Sequence, residues 1–146
     1  MSRLAVYESK VVRVIFGTLL LEDGRSDPFF KIAPTGDAYV IEGPGADGHV
    51  AMCGTNNDVY EVTLSFKGTS SVNQALSAIH IADRQAFNGA GIAPLVCQDE
   101  SGATLIQTDR CRIMGMAEQS FGITKPDVNW KLIAVIEPGG FVLGGN

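Results

Sequence analysis

Histidine is scarce in this sequence: His49 and His80 are the only two. A serine or cysteine nucleophile that needs an imidazole base has little to draw on, and neither histidine lies in a local motif such as Gly-x-Ser-x-Gly. Cysteine is scarce as well. Cys53, Cys97 and Cys111 are odd in number and far apart, which argues against a disulfide framework. No Cys-x-x-Cys or His-x-x-x-His spacing offers zinc a ligand set. The expectation is three reduced, mostly buried thiols in a reducing compartment.

Charge is also in short supply, at 18% of residues against 45% hydrophobic, and acids outnumber bases to give a formal net charge of −5. Phosphate binding needs a basic field, and the only close basic pair, Arg110 and Arg112, stands next to Asp109. Low charge in a chain long enough to bury a real core has two readings. Part of the surface is covered by copies of the chain or by a partner, or the chain is a compact β domain with a large core. Long hydrophobic runs are missing too. The stretch "VIFGTLLL" is too short to span a bilayer. Arg3, Glu8, Lys10 and Arg13 interrupt what would be the apolar region of a signal peptide. A cytoplasmic protein without a membrane anchor is expected.

The remaining chemical signals are weak. Glu22–Asp23 and Asp99–Glu100 are paired carboxylates, but both adjoin glycine or serine in turn-like stretches and read as solvated turn charges. The run "GPGADG", residues 43–48, is followed by no Gly-Lys-Ser/Thr and lacks the strand–turn–helix setting of a dinucleotide site. Its Asp47 lacks the carboxylate spacing of a calcium loop. No enzyme activity, metal or cofactor is expected.

What is present is β-patterning around one helix. "SKVVRVIFGTLLLEDG" reads as a strand, broken by a bulge near Gly17. "PFFKIAP", bounded by prolines, reads as an edge strand or extended arm, and "DAYVIEG" as a short strand. "DVYEVTLSFKG" alternates most cleanly. Tyr60, Val62, Leu64 and Phe66 fall on one face, and Val59, Glu61, Thr63, Ser65 and Lys67 on the other. Ser71 and Gln74 fit a capping box that opens a helix to about Gln85, with Val72, Ala75, Leu76, Ile79, Ala82 and Ala86 at helical spacing. Asn88 and Gly89 supply its left-handed stop. "APLVCQDESG", "ATLIQTDRCRIMGMAE" and "NWKLIAVIEPGG" read as strands, with "FVLGGN" as one more short pairing. In the last long strand Trp130, Leu132, Ala134 and Ile136 form one row, while Ile133 and Val135 lie on the other, so the fold or a neighbouring subunit covers both faces. The pattern predicts a single domain over residues 1–146, mainly β, a β-sandwich or barrel with one flanking α-helix, residues 1–35 forming an N-terminal strand or arm.

The run "GADGHVAMCGTNNDVYEVTLSFKGTSSVNQALSAIHIADR" resembles the tail tube proteins of contractile-tailed bacteriophages. The shared elements are the turn Gly45, Ala46, Asp47 and Gly48, the strand from Val59 to Phe66, and Thr69, Ser70 and Asn73 opening a helix that contains Leu76. "CRIMGMAEQSFGITKPDVNWKLIAVIE" is similar to the family's closing strands. The resemblance runs from Ala38 to Glu137, about two-thirds of the chain. The family's Thr-Ser-Pro-Val-Asn reads "TSSVN" here.

The resemblance implies a structural subunit whose six copies form a ring, with rings stacked into a hollow conduit for genome delivery. It implies the virion tail as location after assembly in a host cytoplasm. Sheath, baseplate and tail terminator proteins become the partners, and DNA transits the lumen without specific binding. On that basis Glu61, Thr63, Ser65 and Lys67 are lumen-lining candidates. Gly43, Pro44, Gly45, Ala46, Asp47 and Gly48 are inter-ring loop candidates, a plain tight turn being the other reading, and Ile133 and Val135 are inter-subunit candidates. The tube of a type VI secretion or other contractile injection system shares this architecture. A small β-barrel ligand-binding domain or enzyme is the alternative from another class.

Overall fold

The computed structural model describes residues 12–22, 24–43, 45–46, 48–55, 57–99 and 104–143. Along the chain run β1 (Val12–Phe16), β2 (Leu19–Leu20), β3 (Arg25–Pro34), β4 (Tyr39–Glu42), β5 (Ala51–Gly54) and β6 (Val59–Phe66). Helix α1 (Ser71–Ala86) follows, then β7 (Ala93–Asp99), β8 (Thr104–Ile113), β9 (Val128–Val135) and β10 (Phe141–Val142). The protein is mainly β, with one helix among the described residues. Eight strands form one antiparallel sheet in the order β2-β1-β7-β8-β9-β6-β3, with β10 added to β8, and the sheet curls into a half-barrel. β4 and β5 pair with each other as a separate two-stranded sheet.

Several local features differ from expectation. The break at Gly17 is a reversal, not a bulge: φ is +64° there, and β2 folds back on β1 with Phe16 opposite Leu19. Val12–Phe16, Leu19–Leu20 and Arg25–Pro34 are strands of the main sheet, and Val12, Val14, Phe16 and Leu21 are buried; residues 1–11 lie outside the described part. β3 is the edge strand anticipated, and it carries an irregularity between Arg25 and Phe30.

The core forms where alternating rows from neighbouring strands coincide. Leu64 sits opposite Trp130 and Val62 opposite Leu132, and all four are buried with Phe66, Val14 and Leu95. Trp130 is the largest of the fully buried side chains, and aromatic burial contributes strongly to such packing. The other row of β9 stays outside: Asn129 and Lys131 are exposed, and Ile133 and Val135 half-buried.

Helix α1 covers part of this core with Val72 and Leu76. Its N-cap is Ser70, whose Oγ accepts from the Val72 amide at 3.2 Å. The cap therefore falls one residue earlier than expected. Asn73 takes the third helical position, so Gln74 is out of place for a capping box. Asn73 instead ties the helix to the sheet. Its Oδ1 accepts from Trp130 Nε1 at 3.1 Å, and its Nδ2 donates to the Lys67 carbonyl at 3.0 Å. The helix stops at Phe87, which is itself left-handed (φ 54°), before Asn88 and Gly89. The buried stripe continues through His80 and Asp83; Ala82 and Ala86 are exposed.

Asn73→Ala leaves the buried indole N–H without its acceptor, an omission that costs about 2 kcal/mol. For a chain of this size the melting temperature should fall by roughly 4–8 °C. Asn73→Asp keeps the acceptor oxygen and should lose less than half as much. Thermal unfolding followed by Trp130 fluorescence measures both.

Candidate functional site

No described grouping of three or more His, Cys, Asp or Glu side chains could hold a metal ion. The histidines lie on different elements: His49 in the exposed connection between β4 and β5, and His80 buried in α1. No described helix is long and apolar enough to cross a membrane. The features that stand out are surfaces.

The first is the β4–β5 hairpin. Antiparallel pairing sets Ile41 opposite Met52 and Tyr39 opposite Gly54, so Tyr39, Ile41 and Met52 share one face. Their exposures are 66%, 67% and 69%. A two-stranded ribbon with an uncovered apolar face is marginal in water. The connecting loop is shaped by its glycines: Gly43 (φ +113°) and Gly48 (φ +77°) adopt backbone that other residues avoid. The Gly45 amide donates to the His49 carbonyl at 2.9 Å, and the Gly48 amide to the Gly45 carbonyl at 2.9 Å. Gly43, Gly45, Ala46 and Gly48 therefore form a tight turn at the end of the hairpin. Pro44 and Asp47 lie outside the described residues.

The second is the outer face of β6 and β9. Glu61, Thr63 and Ser65 are half-buried and alternate with the core row. Glu61 pairs with Lys131 at 3.3 Å, both side chains about half exposed, a contact of little energetic weight. Ser65 Oγ donates to Asn129 Oδ1 at 2.6 Å. Lys67 does not continue this row. The strand ends at Phe66, the Lys67 backbone turns toward Gly24 and the helix cap, and its side chain helps line a cleft with Glu22, Asp99 and Asp127. That cleft, about 1350 Å³, opens where the curl brings β3 across from β7, β8 and β10; Phe30, Cys97, Ile106 and Phe141 also line it. Ile133 and Val135 border two separate outer grooves.

The third is a polar clamp that spacing did not reveal. Arg112 Nε and Nη2 donate to Asp83 Oδ2 and Oδ1 at 2.6 and 3.1 Å, and the Gly91 amide donates to Asp83 Oδ1 at 3.0 Å. A Cβ at Gly91 would lie 2.5 Å from Asp83 Cβ, so only glycine lets the backbone come this close. The Arg112 guanidinium, then the Gly91 N–H, hold the Asp83 carboxyl below the usual carboxylate range. Asp83 and Arg112 are 29 positions apart, and only the strand register brings them together.

Compared with protein-family models and with curated proteins, the chain matches none.

Two outcomes follow. Burial pushes the Cys97 thiol up to about 11 and the Cys111 thiol up to about 12, and thiolate is the reactive form. Maleimide at neutral pH should label Cys53, which is only half-buried, and reach the other two after unfolding; mass spectrometry counts the adducts. Asp83 has a lowered folded pKa, so its stabilisation is present above its unfolded pKa of about 3.9 and is lost as pH falls through the folded value. Asp83→Asn should unfold at clearly lower denaturant than the parent at pH 7, with the gap narrowing below about pH 4.

Proposed function

We propose that the chain is a structural subunit that assembles with its own copies into rings, and that the rings stack into a hollow tube. The observation that carries this reading is the β4–β5 hairpin, whose apolar face no part of the described chain covers. A surface of that kind marks an interaction site. The resemblance to tail tube proteins of contractile phages supplies the form of the assembly: six copies per ring, a sheath outside, baseplate and terminator at the ends, and a lumen through which DNA passes. The virion tail is the corresponding location. In this reading Glu61, Thr63 and Ser65 face the lumen, the turn at residues 43–48 meets the next ring, and Ile133 and Val135 meet the neighbour within the ring. The protein then has no catalytic role. The net charge of −5 fits a conduit that lets a polyanion slide without holding it.

The tube of a secretion or other contractile injection system satisfies the same surfaces, and the genes flanking this one separate the two. A ligand-binding domain is favoured by a different observation, the 1350 Å³ cleft beside β3.

Negative-stain microscopy of the purified protein decides between assembly and ligand binding. Rings or tubes are expected; a dispersed monomer at high concentration would overturn the tube. Val135→Asp should abolish assembly and lower the melting temperature by only a few degrees. Global unfolding of that variant would make the outer face of β9 internal core instead.

A further inference from the structure

The hairpin face has a complementary surface on the same chain. Beneath the last turns of α1 lies a groove of about 420 Å³ lined by His80, Arg84, Ile113, Met114, Met116 and Ile133, together with the Asp83–Arg112 pair. Met114 and Met116 are 54% and 52% exposed. Methionine-lined grooves adapt to apolar guests and make favourable sulfur–aromatic contacts. His80, 6% exposed, closes the groove from the helix side.

Charge matches too. The segment 37–54 contains Asp37, Glu42 and Asp47 and no lysine or arginine. In the groove Arg112 neutralises Asp83, which leaves Arg84 to set a positive rim. The hairpin does not fill this groove within its own chain, because Tyr39, Ile41 and Met52 remain exposed.

We infer that the face Tyr39–Ile41–Met52 of one copy docks in the Met114–Met116 groove of a second copy. This rests on the tube reading for the need to assemble, and deepens it by naming donor and receptor surfaces. Donor and receptor are different patches, so the contact is head-to-tail. Such contacts propagate into closed rings or open helical stacks and do not stop at an isologous dimer. Ile133, an inter-subunit candidate from its half-buried place on β9, forms part of the receptor.

The test places the photo-crosslinker p-benzoylphenylalanine at position 41 in the full chain. Labelled and unlabelled copies are mixed and irradiated, and the adducts mapped by mass spectrometry. Cross-links from position 41 to Met114, Met116 or Ile133 of a differently labelled copy are expected. The crosslinker at Val40, on the opposite face of the ribbon, should give several-fold less of that product. Arg84→Glu should lower the yield about tenfold, equivalent to about 1.4 kcal/mol. Adducts at any other surface, adducts within one copy, or none would overturn the docking. Microscopy of the same samples keeps the two ideas apart. Tubes with the adduct elsewhere sink the docking and spare the tube, whereas the expected adduct in particles that never form rings does the reverse.

Discussion

Only Val72 and Leu76 among the apolar side chains of a sixteen-residue helix are fully buried, so α1 cannot be held to the sheet by hydrophobic contact alone. Two polar ties complete its attachment. Near the N-terminus Asn73 accepts from the Trp130 indole, and near the C-terminus Asp83 receives Arg112 and the Gly91 amide. The two anchors are three turns apart and reach different strands, β9 and β8. That fixes the helix in both position and rotation, which a smooth apolar stripe does less well. The indole tie also orders the largest buried side chain of the core, so cap, helix and core depend on one another.

The curl of the sheet follows from what the helix leaves undone. One helix covers part of a concave face formed by eight strands. The remainder is closed by bending, which brings β3 across toward β7 and β8 and leaves a cleft between them. An open half-barrel retains edges, and edges invite pairing with another chain. The hairpin, the half-buried outer row of β9 and the groove under α1 are all unsatisfied surfaces on one small protein. Together they are economical for an assembly and wasteful for an isolated monomer.

Charge placement points the same way. The pairs on the outer face are exposed and of little weight, as with Glu61 and Lys131. The pair with a nearly buried partner, Asp83 with Arg112, serves the fold. With charged residues at only 18% of the chain, little charge is left to build a strongly attractive field.

Period-two alternation from Val59 to Phe66 and from Trp130 to Ile136 determined which rows of β6 and β9 would be buried, because a strand with one dry face can alternate in only one register. The helix, its start near Ser70, and the edge position of the proline-flanked β3 were equally legible, since caps and prolines act within a few residues. Local pattern pointed to Ser71 as the cap where Ser70 is used, because both hydroxyls suit the role and the choice depends on where Asn73 must sit to meet Trp130. It also placed Ala82 and Ala86 on the buried stripe, where His80 and Asp83 lie instead; Arg112, 29 residues beyond Asp83, makes that burial affordable. The separation of β4 and β5 from the main sheet, the turn of Lys67 away from its strand, the cleft and the methionine groove came only with the tertiary structure. Each depends on which strands become neighbours, and strand pairing is a long-range choice that no local window of sequence contains.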